Sequence, residues 1–305
     1  FVVALRAKGE TGEELSGLLD AVLAAASIVP LDDAVRDRAV DIVGTGGDRS
    51  HSINVSTMSA IVVAGAGVTV CKHGARGSSS KSGAADVLEA LGVAISLDAE
   101  GVRRCIDETG IGFCLATTFH PAFRFAGPSR REIGIPTVFN LLGPMANPGR
   151  VRRQVIGVAN PAVAQRMLAS LRIHGSIKAW VVHGSGLDEL TTTGPSTVLS
   201  LDDGEVTTFE IDPVSLGLTP AIAEELTGGD AAENAEVVRR VLAGAHGPHR
   251  DIVVLNAAAG LVVAGVAGDI REGLSLAAAS IDSGKALDVL DRFIAASQRI
   301  AASTA

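Results

Sequence analysis

Residues 41–57, DIVGTGGDRSHSINVST, decide the fold of this chain. A short β-branched run opens the stretch and predicts a strand, a glycine-rich bend follows, and an apolar run then predicts a helix to Gly65. Backbone N–H groups in such a bend can approach an anion closely, and a helix start adds unpaired donors. An ordinary tight turn with a helix cap is the alternative. Arg49 stands where a dinucleotide fingerprint would need its third glycine.

A second candidate anion-binding loop follows the next predicted strand, at residues 68–71. Its sequence, KHGARGSSS at 72–80, combines two cations, two glycines and three hydroxyls, which suits phosphate or diphosphate. A solvated basic loop is the alternative. The carboxyl ends of neighbouring parallel strands share the sheet edge at which open α/β sheets bind ligands, so the two loops together favour a site.

The remaining candidates are acids and arginines. Asp188 and Glu189 are adjacent carboxylates after a predicted strand, which suits Mg²⁺, and an exposed acidic turn is the alternative. Arg130 and Arg131 lie in a predicted helical segment, where an arginine can hold a substrate carboxylate with two hydrogen bonds, although a surface pair is the more ordinary arrangement. His73 could orient a substrate beside the second loop.

Three other polar residues are predicted to be structural. Asp230 is placed as a helix cap, Asn147 holds a turn, and Asn256 is a hydrogen-bonded polar group in the core.

The bulk composition limits the class of protein. The chain has 305 residues, of which 47% are hydrophobic, enough for a substantial core. A net charge of −8 argues against a nucleic-acid-binding protein. Three cysteines without a CxxC spacing predict free buried thiols in a reducing, cytoplasmic compartment. Apolar runs are interrupted by glycine, so no membrane span is predicted.

The order of predicted elements indicates an α/β fold with a large mixed, mostly parallel sheet flanked by helices. Two segments interrupt the alternation of strands and helices. Residues 120–148 read as two short helices that end at Gly143 and Pro144, and residues 191–200 and 205–211 alternate like antiparallel strands. We therefore expect a small all-helical domain of residues 1–37 and 120–148 and a large α/β domain of residues 38–119 and 149–305.

Six motifs identify a known family. GTGGD (44–48), NVST (54–57), KHGxR (72–76), SGAADVLEALG (82–92), FNLLGPMANP (139–148) and GLDE (186–189) occur in the order and spacing of the anthranilate phosphoribosyltransferases, and the chain resembles that family throughout. The resemblance implies a homodimeric, Mg²⁺-dependent enzyme of tryptophan biosynthesis, with the fold of the pyrimidine nucleoside phosphorylases. Such an enzyme joins anthranilate to phosphoribosyl pyrophosphate and releases pyrophosphate. The same resemblance implies that about two helices precede Phe1.

The resemblance also implies roles for individual residues. Lys72, His73 and Arg130 would be catalytic. Gly44, Ala75 and Arg130 would contact anthranilate, and Ser56, Asp188 and Glu189 would hold the metal. The phosphoribosyl pyrophosphate site would comprise Gly44, Gly47, Asp48, Ser52, Asn54, Val55, Ser56, Thr57, Lys72, His73, Gly74, Ala75, Arg76, Gly77, Ser78, Ser79, Ser80 and Ala84.

The chain departs from the family pattern at four positions. Ala75 replaces the asparagine that contacts anthranilate, and Ala84, Arg49 and Ser52 replace other typical residues. One lost neutral hydrogen bond predicts affinity for anthranilate weaker by roughly a factor of ten. A paralogue that uses another aromatic amine, a pyrimidine nucleoside phosphorylase and a non-catalytic nucleic-acid-binding homologue are the alternatives.

Overall fold

The computed structural model describes residues 1–48, 50–77 and 81–304. Its helices are α1 (Val2–Lys8), α2 (Gly12–Ala24), α3 (Asp33–Arg38), α4 (Val55–Gly65), α5 (Ala84–Leu91), α6 (Ala99–Thr109), α7 (Ala116–Phe119), α8 (Phe123–Ile133), α9 (Val138–Met145), α10 (Ala164–Ile173), α11 (Ala231–Leu242), α12 (Pro248–Ala264), α13 (Ile270–Asp282) and α14 (Lys285–Thr304). None of the helices in these ranges combines the length and the apolarity needed to span a bilayer.

The strands form one sheet across the middle of the molecule. They are β1 (Val40–Gly44), β2 (Val70–Gly74), β3 (Ile111–Leu115), β4 (Arg153–Gly157), β5 (Lys178–Gly184), β6 (Ser196–Asp202) and β7 (Glu205–Ile211). Their order is β3-β2-β1-β4-β5-β6-β7. The first five pair in parallel, and β6 and β7 continue the sheet antiparallel. The predicted mixed, mostly parallel sheet is therefore confirmed.

Successive residues of the central strands belong to two different apolar cores. Ile42 and Val182 contribute to the core that also contains α4, α12 and α14. Their neighbours Val43 and Val181 contribute to the core that contains α2, α9 and α10. Because successive side chains of a strand point to opposite faces, each strand holds both layers of helices.

Helices α1, α2 and α9 contribute to the second core, whereas α8 buries no residue and Val35 of α3 packs against the first core. The Thr11 hydroxyl accepts a hydrogen bond from the Glu14 amide, and the Glu14 side chain accepts from the Thr11 amide, so the predicted capping box starts α2. Leu15 and Leu19 of α2 then pack in one cluster with α9 and α10. The division of the chain into a small helical domain and a large α/β domain stays a prediction.

Strand β2 is longer than the sequence predicts. The expected strand covered residues 68–71, but the parallel ladder with β3 continues through Lys72 and His73 to Gly74. The side chains of Lys72 and His73 therefore belong to a buried strand and not to a loop. Pairing with a neighbouring strand overrode the loop-like composition of this segment.

Two further boundaries also differ. Helix α9 runs to Met145 through Gly143 and Pro144, where the sequence predicted a stop. A proline this close to a helix end removes only one backbone hydrogen bond. Strand β6 begins at Ser196 and not at residue 191, because the preceding residues form a bend, in which the Thr191 N–H donates to Ser196 Oγ.

Candidate active site

The candidate site lies where the strand order reverses. The chain passes from β1 to β2 and β3 on one side, and then returns to pair β4 with the other side of β1. Gly44 and Gly157, the last residues of β1 and β4, are register partners at this edge. A cavity of about 410 Å³ opens there. Ligands of open α/β sheets bind at such reversal points.

The cavity brings together nearly all the predicted site residues. Residues of the first loop, the second loop, the helical segment and the acidic pair all line it. Thr57 is an exception, because its buried side chain does not line the cavity, and Ser78, Ser79 and Ser80 lie outside the described residues, as does Arg49. The predicted residues along the cavity are Gly44, Gly47, Asp48, Ser52, Asn54, Val55, Ser56, Lys72, His73, Gly74, Ala75, Arg76, Gly77, Ala84, Arg130, Asp188 and Glu189.

Glycines at the strand ends make room for the acidic pair. A Cβ built on Gly44 would overlap the Asp188 carboxylate, and one built on Gly157 would overlap the Asp188 carbonyl oxygen. A Cβ on Gly184 would overlap the carbonyl oxygen of Glu189. The loop that carries both acids can therefore sit against the sheet edge only because three strands end in glycine.

Asp188 and Glu189 are both buried carboxylates. Asp188 accepts a hydrogen bond from the Gly46 N–H at 2.6 Å. Burial, together with the nearby Asp48, raises the pKa of Asp188 to about 7. Burial, with Asp188 beside it, raises the pKa of Glu189 well above its ordinary value. Such a pair is stabilised by any cation that enters the cavity.

These residues suit Mg²⁺. Two carboxylates with the Ser56 hydroxyl in the same cavity are hard oxygen donors, and burial, which raises the pKa of both acids, makes a cation beside them favourable. Within the described ranges, no three His, Cys, Asp or Glu side chains converge as a metal-binding group. A Mg²⁺ ion here would take its remaining oxygens from substrate and water, as Mg²⁺ commonly does.

Lys72 places a buried ammonium group on the cavity floor. Its Nζ donates to the Ile42 carbonyl oxygen at 2.6 Å and to Ser56 Oγ at 3.4 Å. Burial lowers its pKa, while the charges of Asp41 and Glu189 raise it. The ammonium group keeps a third hydrogen for a ligand oxygen, which fits the anion-binding role.

Asp41 is a site-supporting residue that the sequence analysis missed. It is fully buried beneath the cavity and accepts hydrogen bonds from the His73 N–H at 3.1 Å and from Asn147 Nδ2 at 2.8 Å. Asn147 also donates to the Cys71 carbonyl oxygen and accepts from the Gly149 N–H, so it holds its turn as predicted. Asp41 could have been found from the sequence, because it is an acidic residue within an otherwise apolar predicted strand.

The second loop is restrained by acids on α5. The Arg76 guanidinium contacts Asp86 at 2.9 Å and Glu89 at 2.8 Å, and these contacts raise its pKa. Asp86 also accepts from the N–H groups of Gly77 and Gly83. In this conformation the charge of Arg76 is therefore already paired, whereas the sequence suggested that it was available to an anion.

An aromatic wall forms the other end of the cavity. Phe123 and Phe139 line it with ring centroids 5.3 Å apart, and the Arg130 guanidinium lies 5.1 Å from the Phe139 centroid. Arg130 is half-buried, which lowers its pKa, whereas Arg131 is exposed and lies outside the cavity lining. This end suits a planar, anionic aromatic molecule. The sequence analysis missed both phenylalanines, although phenylalanine is scarce in this chain.

His73 joins this wall to the sheet. Its ring lies 5.0 Å from that of His120, which in turn stacks on Phe123 at 5.1 Å. Burial, the neighbouring His120 and Lys72 lower the pKa of His73 to about 3, so the imidazole is neutral at physiological pH. It can orient a ligand by contact or by a hydrogen bond, but it does not supply a charge.

Comparison with known proteins defines the class first. Residues 36–287 match the family described as "Glycosyl transferase family, a/b domain". The sheet, the reversal point and the anion-binding cavity described above are thus those of an α/β glycosyl transferase.

The full-length relatives narrow this class. The chain is 51% identical over 302 residues to an anthranilate phosphoribosyltransferase of Azorhizobium caulinodans, covering 99% of this chain and 87% of that protein. The crystal structure of the Thermus thermophilus anthranilate phosphoribosyltransferase superposes with a TM-score of 0.91 at 41% identity, covering 97% of this chain and 88% of that one. The Saccharomyces cerevisiae enzyme in complex with PRPP and Mg superposes with a TM-score of 0.89 at 31% identity, covering 98% and 84%. The chain belongs to the anthranilate phosphoribosyltransferase family.

Proposed function

We propose that this chain transfers the phosphoribosyl group of phosphoribosyl pyrophosphate to the amine of anthranilate, giving N-(5-phosphoribosyl)anthranilate and pyrophosphate. One observation carries the assignment. A single cavity joins a floor of glycine amides, Lys72 and buried carboxylates to a wall of two phenylalanines and Arg130. The first part suits a metal-bound diphosphate, and the second suits an aromatic carboxylate.

The diphosphate end stabilises the leaving group. Displacement at the ribose C1 places negative charge on the departing pyrophosphate. Lys72 supplies a fixed donor for that charge, and the glycine bend lies along the same cavity. Mg²⁺, when bound at Asp188 and Glu189, would add positive charge beside it. Asp41 holds the backbone of His73 beneath the cavity, so the neighbouring Lys72 is anchored on a rigid strand.

The acceptor end acts by positioning. Anthranilate carries an aromatic amine that is neutral at physiological pH, so its attack needs no strong base. Arg130 can hold the carboxylate while the rings of Phe123 and Phe139 hold the aromatic plane, which aims the amine at C1. Neutral His73 completes this wall without adding charge. We further propose that the enzyme is a cytoplasmic homodimer that needs Mg²⁺.

The direct test follows the loss of anthranilate fluorescence with phosphoribosyl pyrophosphate and Mg²⁺, and repeats the assay with other aminobenzoates. Turnover of anthranilate is expected, while preference for another aminobenzoate would reassign the acceptor. Phosphorolysis of uridine or thymidine without anthranilate turnover would contradict the proposal. So would binding of single-stranded DNA at physiological salt by a protein that shows no turnover of any of these substrates.

The acidic pair is tested by the double variant Asp188→Asn with Glu189→Gln. We expect turnover to be lost with the fold intact, because the amides cannot supply the negative charge that Mg²⁺ needs. Asp202→Asn with Asp203→Asn is the matched control, because both acids are exposed, Asp202 at the end of β6 and Asp203 in the turn that follows. The control loses only the ion pair between Asp202 and Lys178, which lies outside the cavity lining. Near-normal rates in the first variant would reject the metal assignment.

A further inference from the structure

The side chain of Asn54 has an unusual arrangement for its position. Asn54 is the N-cap residue of α4, where an asparagine commonly accepts a hydrogen bond from the first helical turn, yet its side chain makes no cap bond. Its Oδ1 instead accepts from Asn234 Nδ2 at 2.9 Å, and its Nδ2 donates to the Ser82 carbonyl oxygen at 3.2 Å. The amide therefore bridges the first loop, α11 and the start of α5.

Asn234 is itself held in one orientation. It is 3% exposed, and its Oδ1 accepts from the Gly229 N–H at 2.8 Å. With the oxygen committed to a backbone donor, the nitrogen must face Asn54. A Cβ on Gly228 would lie 2.8 Å from Asn234 Oδ1, so this contact also needs a glycine.

Backbone contacts bring α11 to the first loop. The Ile53 N–H donates to the Leu226 carbonyl oxygen at 3.0 Å, and the Gly228 N–H donates to the His51 carbonyl oxygen at 2.7 Å. The segment before α11 thus lies along the first loop as a short antiparallel pairing. Asn234 adds the one side-chain bond from the helix itself to Asn54 within the described part of the chain.

We propose that Asn234 is a positioning residue for the diphosphate-bearing substrate, because it fixes the amide of Asn54 with its nitrogen toward the cavity. Asn54 lines the cavity, and its Nδ2 has a second hydrogen beyond the one given to Ser82. An anionic ligand gains from that donor and is repelled by the oxygen that a turned amide would present. The identity of the ligand rests on the proposed function.

The test variant is Asn234→Asp, which keeps the size and the acceptor for Gly229 but removes the donor. A carboxylate attracts Asn54 Nδ2 away from Ser82 and turns the amide oxygen toward the cavity. We expect the KM for phosphoribosyl pyrophosphate to rise by roughly tenfold to a hundredfold, the range of a hydrogen bond to a charged group. The KM for anthranilate should change less than twofold. Asn234→Ala only removes the hydrogen bond that restrains Asn54, so it should raise the KM for phosphoribosyl pyrophosphate by a smaller factor. It replaces Asn234→Asp as the test variant if that protein does not fold.

Two controls separate positioning from other effects. Asp230→Ala removes the cap of the same helix, where Asp230 accepts from two N–H groups at 2.9 Å, so it lowers the melting temperature without touching Asn54. Its KM for phosphoribosyl pyrophosphate should match the wild type. In an Asn54→Ala background the effect of Asn234→Asp should largely disappear, whereas a direct charge effect would persist.

Calorimetric titration of phosphoribosyl pyrophosphate and Mg²⁺ into the same proteins reports binding without turnover. Wild-type binding without anthranilate turnover would contradict the proposed acceptor and leave the Asn234 comparison measurable. An unchanged affinity for phosphoribosyl pyrophosphate in Asn234→Asp would overturn the positioning role. The same holds if Asp230→Ala loses as much affinity as Asn234→Asp. It also holds if Asn234→Asp still lowers the affinity in the Asn54→Ala background.

Discussion

The carbonyl group of Asp188 lies against Gly157, at the end of β4, where no side chain can be accommodated. Gly44, the register partner of Gly157, leaves the matching space for the Asp188 carboxylate. The position of Asp188 is therefore set by two strand ends, and it depends on the absence of two β-carbons.

Gly157→Ala should displace the loop that carries Asp188 and remove activity. Forcing an extra carbon into a packed site costs about 1–3 kcal/mol of unfolding free energy. Gly17→Ala is the matched control, since Gly17 is exposed in the middle of α2 with no atom near the added carbon. It should gain about 0.5–1 kcal/mol and keep full activity. Thermal unfolding and the anthranilate assay measure both, and an active Gly157→Ala protein would contradict the packing argument.

The affinity for Mg²⁺ should depend on pH. Burial, with Asp48 nearby, raises the pKa of Asp188 to about 7, so at pH 6 its carboxyl group is mostly protonated. A proton must leave before the cation can bind, so the apparent affinity should rise from pH 6 to pH 8. Titration calorimetry in two buffers of different ionisation enthalpy detects the released proton. A pH-independent affinity would show that Mg²⁺ binds elsewhere.

Arg130→Lys should weaken anthranilate binding specifically. Lysine cannot reproduce the two parallel hydrogen bonds of a guanidinium group or its position over Phe139, so the KM for anthranilate should rise by about tenfold to a hundredfold. The KM for phosphoribosyl pyrophosphate should stay near the wild-type value. Arg131→Lys, one residue away and exposed, provides the control. An equal rise in the KM for anthranilate in both variants would show that Arg130 does not bind the acceptor.

Ala75→Asn should improve the use of anthranilate. Ala75 lines the cavity where the family pattern carries an asparagine, and one added neutral hydrogen bond of about 0.5–1.5 kcal/mol lowers the KM by about twofold to tenfold. Steady-state kinetics with anthranilate and a panel of aminobenzoates measure the change. If the KM for anthranilate does not fall while another aminobenzoate is used better by the wild type, the pocket is built for that acceptor.

The sequence predicted the polar half of the candidate site better than the apolar half. Glycine bends, adjacent acids and the Arg130 position are local patterns, and the structure gathers them at one sheet edge. The wall of Phe123 and Phe139 depends on how two helices meet, which no local pattern contains. The burial of Lys72 depends on pairing of β2 with β3. The bond between Asn54 and Asn234 joins residues far apart in the chain, so only the folded structure reveals it.

The central pairing of the sheet has a consequence for synthesis. Strand β1 finds its partner β4 only after residues 45–152 have been made, and the acids at 188–189 emerge later still. A nascent chain on the ribosome therefore carries one unpaired edge of β1 for several seconds or more, because residues 45–152 are added at roughly 5–20 residues per second. We expect newly made chains to depend on chaperones until that edge is closed.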